Sequence, residues 1–471
     1  MPVLITDSRS QRLLLGAIAL GVVMDGIDGS IVNVALPTMA GYFGTDTGTI
    51  GWVIITYLLM MAGLLIVLGK LATMGCAKRL FLAGSVIFTI GSAACGIAPS
   101  LEFLLAARLL QGTGAAMIAA VAPLLCVRYL PEEMLGAAIG VIAAAASIGF
   151  AAGPAIGGIL TQYLSWHWIF LVNIPIGLGG IIYSARVIPR DEPVKGAEFS
   201  DYPGAVVLFI AMASGTYVLE ELAARGGTDP VVLAVGVLFL ASSAAFIVRE
   251  KTTPEPVLEI RIFREWRFLA VTVSYLLLNI VFMGVIYLLP FYFSDVLHLD
   301  PVMNGICLLV PPAVIALLSI PFGHLSDRHG RRVFTAIAGG IFVVYSAIFT
   351  LIAPAYGVLP LAAGLILMGV GFGIAAGPAS SRIIEAAFGN TKETGSSLMV
   401  TVIYLGGVLG TAIYAMLFTF ATAGPRGVIA FTELDPVTFL SGFHLTMAAG
   451  VGLSVLALVL AAIVPDGKTG G

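Results

Sequence analysis

Asp25 and Asp28 interrupt the first long apolar stretch of the sequence. On a helix, a spacing of three residues places both carboxylates near one face. An ionisable side chain in the middle of a membrane costs about 2.5 to 3.5 kcal/mol on insertion scales, so each needs a partner or a task. Two close carboxylates in a low-dielectric medium resist ionising together, and we expect one to hold a proton near neutral pH. This pattern favours proton or cation handling; a hydrogen-bonded polar pair or a water-lined vestibule is the structural alternative.

Arg108 is the third charged residue that lies inside an apolar stretch. Its guanidinium stays protonated in proteins, so it must face the protein interior and find acceptors there. A structural tie to backbone carbonyls is one interpretation of this residue. The other acidic or basic candidates lie nearer to helix ends: Glu220 and Glu221 are typical of a solvated end, and Arg382 with Glu385 is typical of an interfacial ion pair.

The composition requires that these residues lie in a membrane protein. Of 471 residues, 59% are apolar and 10% are charged, whereas soluble proteins have about 45–50% and about 25%. The net charge of −3 gives no basic field for nucleic acid. Four dispersed cysteines without a CxxC pair and five dispersed histidines predict no metal site, no cofactor and no disulfide framework. We also expect no enzymatic activity, because the polar loops contain no catalytic constellation.

The apolar stretches are long enough for membrane-spanning helices, which need roughly 20 residues each. We predict an all-α polytopic membrane protein with fourteen crossings, divided into an N-terminal six-helix bundle (1–190), a two-helix insertion (191–250) and a C-terminal six-helix bundle (251–471). The predicted crossings are 13–36, 50–69, 79–98, 102–128, 135–160, 167–187, 202–222, 230–248, 267–293, 303–323, 333–353, 358–384, 395–420 and 441–463.

The basic residues set the predicted orientation. With the N-terminus in the cytoplasm, only Arg225 and Arg426 fall on the outer side, and Arg108 lies within a helix. The other lysines and arginines are then cytoplasmic, as the positive-inside rule requires. We therefore predict that both termini are cytoplasmic and that the first helix is retained in the protein.

A repeat links the two six-helix blocks. The segments "GKLATMGCAKR" (69–79) and "GHLSDRHGRRV" (323–333) each follow the second helix of a block. The second copy resembles the cytoplasmic loop signature of major facilitator transporters, whereas in the first copy Thr73 stands where the signature has Asp, and Cys76 and Ala77 replace Gly and Arg. We expect the second copy to carry the gating interaction. Its matching residues are Gly323, Leu325, Asp327, Arg328, Gly330, Arg331 and Arg332.

Three further segments resemble signatures of one branch of that superfamily, the 14-helix drug:H⁺ antiporters. "DGSIVNVALP" (28–37) resembles the helix-1 motif, with Asp28 at its Asp and with Asn33 and Pro37. "RLLQGTGAA" (108–116) resembles the helix-4 motif, whose Arg is tied to proton coupling. "GFAAGPAIGG" (149–158) resembles the helix-5 antiporter motif, with Gly149, Gly153, Pro154, Gly157 and Gly158. A helix-6 segment typical of the branch follows at 166–177, and Ile403 and Tyr404 stand where relatives often carry Arg and Gln.

The resemblance implies a major facilitator fold with two pseudo-symmetric bundles, and proton-coupled export of amphipathic or cationic compounds by alternating access. Asp28 would exchange a proton or a cationic substrate, Arg108 would tune its proton affinity, and Gly153 and Pro154 would shape a hinge. Asp25, which is absent from the family pattern, is a second candidate. Aromatic side chains could contact a flat cation through their π faces. The aromatic candidates are Tyr57, Phe282, Tyr287 and Tyr404.

Other functions stay open at this stage. A proton-coupled importer of a small metabolite and a non-transporting membrane sensor are the alternatives, and neutral or zwitterionic substrates are not excluded, because the membrane-embedded acids are few. We expect the coupling ion to be the proton, the partners to be small molecules and membrane lipid, and the protein to be a monomer in a prokaryotic-type plasma membrane.

Overall fold

The structure is a computed structural model that describes Ile5 and residues 7–191, 201–225, 229–253, 260–352, 358–386, 392–423 and 429–464. Over these residues the chain is helical apart from short turns and connections, and it contains no strand. This confirms the predicted all-α class.

The first half of the molecule contains six crossings. The sixth begins as the short helix α6 and continues as α7, and together they form one apolar segment over Trp168–Val187. The helices are α1 (Ser8–Phe43), α2 (Thr47–Thr73), α3 (Ala77–Gly96), α4 (Leu101–Tyr129), α5 (Glu132–Tyr163), α6 (Trp168–Leu171) and α7 (Asn173–Val187).

Two further helices precede the second half. Among the described residues, thirteen helical segments are long and apolar enough to cross a membrane, and α8 adds one whose apolar part, Pro203–Leu219, is shorter. The count agrees with the fourteen crossings predicted. The helices are α8 (Tyr202–Arg225), α9 (Pro230–Thr252), α10 (Trp266–Phe291), α11 (Pro301–His329), α12 (Arg331–Leu351), α13 (Val358–Ala386), α14 (Lys392–Thr422) and α15 (Pro436–Ile463).

Aspartates begin several of these helices. The side chains of Asp46, Asp300 and Asp435 each accept a hydrogen bond from a backbone N–H in the first turn. These bonds satisfy donors that have no partner within the helix. Such polar ends extend the helices past the apolar stretches: α1 reaches from Ser8, capped by Asp7, to Phe43, beyond the predicted crossing at 13–36.

The described termini, Ile5 and Val464, lie at one end of the helical bundle, which we call the terminal end; the opposite end is the distal end. Ile5 bonds through its backbone to Tyr129 at the end of α4, and the Val464 carbonyl accepts from Arg382 at the end of α13. An even number of crossings places both at the same end.

The two halves contact each other at the distal end. The Tyr287 hydroxyl of α10 donates to the Thr47 carbonyl at the start of α2, and the Phe431 N–H donates to the Thr45 carbonyl at 3.1 Å. Helices α5 and α11 approach so closely here that a Cβ on Gly158 would lie 2.4 Å from the Pro301 carbonyl oxygen.

Toward the terminal end, α5 and α11 separate. A Cβ on Gly140 of α5 or on Gly323 of α11 would meet no atom within 4 Å. Between the contact and this open region, both helices line a central cavity. Where α5 faces α11, the halves therefore contact each other at the distal end and leave open space toward the terminal end.

Candidate functional site

Asp28 and Arg108 form a buried ion pair. The Arg108 Nη1 lies 2.6 Å from Asp28 Oδ2, and the side chains are 1% and 0% exposed. Helix α1 supplies the carboxylate and α4 the guanidinium. A buried ion pair is favourable only when its other polar atoms are also satisfied.

Neighbouring side chains provide these bonds. The Gln111 amide donates to Asp28 Oδ1 at 2.7 Å, and the Asn173 amide donates to the same oxygen at 3.2 Å. The Gln111 carbonyl oxygen accepts from Arg108 Nη1, and its amide also donates to Ser92. Both carboxylate oxygens of Asp28 are therefore occupied by donors from α4 and α7.

Helix α2 holds the other side of Arg108. The Nε donates to the Val53 carbonyl at 2.9 Å, so the structural tie to a backbone carbonyl and the contact with a carboxylate both exist. The guanidinium carbon lies 4.2 Å from the centre of the Tyr57 ring, one helical turn further along α2. This distance is within the range of a cation–π interaction.

Asp25 has a different environment from Asp28. It is partly exposed and lines the central cavity, and its Oδ1 accepts a hydrogen bond from the Tyr57 hydroxyl at 2.5 Å. The helical spacing places the two carboxylates near one face, as predicted, but only Asp25 lines the cavity. Asp28 lies behind it, with no exposed surface.

The cavity lies between the halves and has a volume of about 280 Å³, close to the lower end of ligand pockets. Its wall is mainly apolar and aromatic, and among the described residues that line it Asp25 is the one charged group. Of the aromatic candidates, Tyr57, Phe282 and Tyr404 line the cavity, whereas Tyr287 lies at the distal contact. The other lining residues are Gly26, Gly29, Asn33, Ile54, Leu58, Ala146, Ser147, Phe150, Met283, Pro312, Ile315, Phe372, Ile403, Gly407 and Thr411.

The glycines of the helix-5 motif bring α5 against α1. A Cβ on Gly149 would lie 2.4 Å from the Val23 carbonyl oxygen, and one on Gly153 would lie 2.0 Å from Ser30 Oγ. A Cβ on Gly157 would lie 2.8 Å from the Ile31 carbonyl oxygen.

Pro154 of the same motif lies at the contact between the halves. Its carbonyl oxygen would be 2.2 Å from a Cβ on Gly305 of α11, and α5 continues through Pro154 as a helix. The motif thus forms both the α1–α5 contact and part of the distal contact. Pro37, from the helix-1 motif, is buried within α1, and Asn33 lines the cavity.

The predicted gating loop lies at the terminal end of the second half. Gly330, at a φ of 94°, separates α11 from α12 in a conformation that favours glycine. Asp327 accepts hydrogen bonds from Arg331 at 2.8 and 2.9 Å. Arg328 is in the last turn of α11, and Arg332 is in the first turn of α12.

The corresponding loop of the first half uses a residue from elsewhere in the chain. Asp191, which follows α7, accepts from the backbone N–H groups of Lys78 and Arg79 at 2.8 and 2.9 Å. Lys78 in turn donates to the carbonyls of Ala185 and Ile188. The sequence analysis missed Asp191 because it lies more than 110 positions from its partners.

Arg382 is buried at the terminal end and donates to the Thr335 hydroxyl and the Val464 carbonyl, at 2.7 and 2.6 Å. The side chains of Glu385 and Glu220 lie outside the described residues. Over the described part of the chain, His, Cys, Asp and Glu form no group of three that could hold a metal ion.

Comparison with known proteins decides the family, because the family model of the Major Facilitator Superfamily matches residues 18–411. The chain belongs to this superfamily. It is therefore a transporter and not an enzyme, as predicted. Multidrug resistance protein B homolog of Mycobacterium tuberculosis is 31% identical over 415 residues, which cover 86% of this chain and 76% of that protein.

Other relatives of this chain are named for different compounds. Riboflavin transporter RibZ of Clostridioides difficile is 30% identical over 87% of this chain and 89% of its own length. Methylenomycin A resistance protein of Bacillus subtilis is 29% identical over 87% of each chain. Relatives named for multidrug resistance bear out the predicted resemblance.

Solved transporter structures share the fold of this facilitator. A bacterial homologue of the human lysosomal transporter Spinster, in an inward-facing and unoccupied conformation, superposes with a TM-score of 0.69 at 16% identity and covers 97% of both chains. A peptide transporter POT superposes with a TM-score of 0.67 at 15% identity, covering 96% of each chain. At these identities the comparison concerns the fold alone.

Proposed function

We propose that this protein is a secondary active antiporter that exports amphipathic, cationic small molecules in exchange for protons. The observation that carries the proposal is a single carboxylate, Asp25, in an aromatic cavity between two halves that contact each other at the distal end. One acidic group surrounded by aromatic faces fits a flat organic cation, which gains from charge pairing and from π contacts together.

Asp25 is the exchange group in this proposal. It is reached from the cavity, so a proton or a cationic substrate can neutralise it in turn. Asp28, favoured by the sequence motif, has both oxygens occupied and no exposed surface, so a substrate cannot reach it without rearrangement. We assign to Asp28 and Arg108 the task of joining α1, α2 and α4 around the cavity.

The predicted orientation makes the open terminal end cytoplasmic. The structure then corresponds to a state that receives substrate from the cytoplasm of a prokaryotic-type cell, with both termini inside and the protein acting as a monomer in the plasma membrane. A gradient of about 150 mV supplies roughly 3.5 kcal/mol per proton, which sustains a concentration ratio of a few hundred. No bound cofactor is required.

The test uses everted membrane vesicles with a preset proton gradient, to which tetraphenylphosphonium or another lipophilic cation is added. Wild-type vesicles release the gradient in a compound-dependent manner, and Asp25→Asn vesicles with equal amounts of folded protein do not. Asp7→Asn makes the same chemical change at the exposed cap of the same helix, outside the cavity; it is the matched control and behaves as wild type. If Asp25→Asn exchanges protons for cations as wild type does, the proposal fails.

A second candidate function is proton-coupled uptake of a flat, uncharged or anionic metabolite. A relative named as a riboflavin transporter and the aromatic lining of the cavity favour it. The same vesicles separate the two: uptake of a heterocyclic metabolite driven by an inward proton gradient, with no response to cations, would favour the importer. In a sensor, binding would occur without movement of either compound.

A further inference from the structure

Tyr57 lies between the two acidic environments of α1. Its hydroxyl donates to Asp25 Oδ1 at 2.5 Å, and the face of its ring lies 4.2 Å from the guanidinium carbon of Arg108. Arg108 holds Asp28 at 2.6 Å. One side chain thus contacts both the carboxylate that lines the cavity and the cation that neutralises the buried carboxylate.

We propose that Tyr57 is a positioning residue that couples the charge state of Asp25 to the Asp28–Arg108 pair. This inference rests on the proposed role of Asp25 as the group that titrates in the cavity. It concerns Tyr57, which lies outside every motif that the sequence analysis matched to a family signature.

The coupling follows from the acceptor strength of Asp25. An ionised carboxylate accepts a strong, charge-assisted hydrogen bond and fixes the Tyr57 hydroxyl. When a proton enters from the cavity and binds Asp25, or when a cation pairs with it, the carboxyl group becomes a weaker acceptor. The Tyr57 ring is then less firmly held under Arg108. The Tyr57 hydroxyl keeps its proton throughout. What weakens is its hydrogen bond to Asp25.

Helix α2 can carry the effect to the contact between the halves. The same helix gives Arg108 a second contact through the Val53 carbonyl, and its first residue, Thr47, accepts the hydroxyl of Tyr287 from the second half. A shift of α2 relative to Arg108 therefore acts on the distal contact, which must open for alternating access.

The ionisable groups around Asp25 are few in the described part of the chain. Tyr57 faces it from α2, Asp28 follows it on α1, Arg108 lies behind Tyr57 on α4, and Tyr404 lines the same cavity on α14. The pH response of Asp25 is thus expected to depend chiefly on the hydrogen bond from Tyr57 and on the charges of Asp28 and Arg108.

The first readout is the infrared carboxyl band of Asp25, identified as the band that Asp25→Asn removes. Tyr57→Phe deletes one hydroxyl and keeps the ring. Because the ionised carboxylate loses a charge-assisted bond, the pH of half-protonation should move up by about one unit. Tyr345→Phe is the matched control, since its buried hydroxyl has no hydrogen-bond partner among the described residues and lies in the other half.

The second readout is the distance across the distal end. Spin labels are placed at Tyr163 and Val437, which are 71% and 79% exposed, in full-length protein whose four native cysteines are replaced. In wild type and in Tyr345→Phe, the distance changes with pH and follows the Asp25 band. In Tyr57→Phe the band still titrates, but the distance no longer follows it.

Three results would overturn the inference: no Asp25-dependent band that titrates, an unchanged midpoint in Tyr57→Phe, or a distance that still follows the band in that variant. The proposed function is judged separately in the vesicle assay. If wild type exchanges no cation there while both readouts behave as stated, the exporter proposal fails and the role of Tyr57 stands.

Discussion

The two halves of this transporter share their helix order but distribute polar chemistry differently. In the first half, the buried interior contains an ion pair with three polar neighbours, Gln111, Asn173 and Ser92. In the described interior of the second half, the hydroxyls of Tyr345, Ser346 and Tyr414 are buried without a hydrogen-bond partner. In the described part of the chain, the buried Asp28–Arg108 ion pair thus belongs to the first half of the repeated fold.

The terminal end shows the opposite distribution. The second half has the intact loop, in which Asp327 pairs with Arg331. In the degenerate loop of the first half, the acceptor is instead Asp191, which comes from a distant part of the sequence and binds the backbone N–H of Lys78. Together with the proposed function, this difference leads us to propose a division of tasks: the first half couples to protons, and the loop of the second half contributes to gating.

The largest expected effect comes from breaking the ion pair. Arg108→Gln leaves Asp28 buried without its cation, and removal of one partner of a buried pair costs about 3–5 kcal/mol. We expect a large loss of folded protein and of unfolding free energy, measured by denaturation in detergent. Arg108→Gln combined with Asp28→Asn removes both charges and should recover much of that stability. Equal stability of the single and double variants would show that the charges do not interact.

A smaller effect is expected from the α1–α5 contact. Gly153→Ala forces a methyl group into the space beside Ser30 and the Ile27 carbonyl, and overpacking costs about 1–3 kcal/mol. Gly140→Ala, in the same helix where a Cβ meets nothing within 4 Å, should be neutral or slightly stabilising, because alanine favours helix. Equal effects of the two changes would contradict the packing described for this motif.

The loop of the first half should respond more weakly. Asp191→Ala removes the acceptor for two N–H groups at the start of α3, and loss of a helix cap costs about 1 kcal/mol. Thermal unfolding measures the change. Asp191→Asn keeps an acceptor oxygen and should retain part of the stability, which separates capping from charge.

The smallest effect on stability is expected in the loop of the second half. Asp327 is 54% exposed, and ion pairs of this helical spacing contribute about 0.3–0.5 kcal/mol. Asp327→Asn should therefore leave the unfolding midpoint nearly unchanged while altering the rate of transport. A transport rate equal to that of wild type would contradict the gating role proposed for the loop of the second half.

Sequence reasoning reached the fold, and it named residues that the structure places around the cavity, because both depend on local sequence patterns. Apolar length predicted the crossings, and the spacing of Asp25 and Asp28 placed both on one face. The motif favoured Asp28, but the different environments of the two carboxylates could not be predicted, because they depend on Tyr57 and Asn173 from other helices. The contact between Gln111 and Arg108 could have been predicted. Gln111 belongs to the helix-4 motif and lies three residues after Arg108, a spacing that places both side chains on one face of a helix.

The central claim is that Asp25, and not Asp28, exchanges a proton for a cationic substrate. The most direct test measures proton release when tetraphenylphosphonium binds to the purified protein in weakly buffered detergent solution. The account predicts proton release by wild type, its loss in Asp25→Asn, and its retention in folded Asp28→Asn. Release that persists in Asp25→Asn and disappears in Asp28→Asn would contradict the account and return the exchange role to the buried carboxylate.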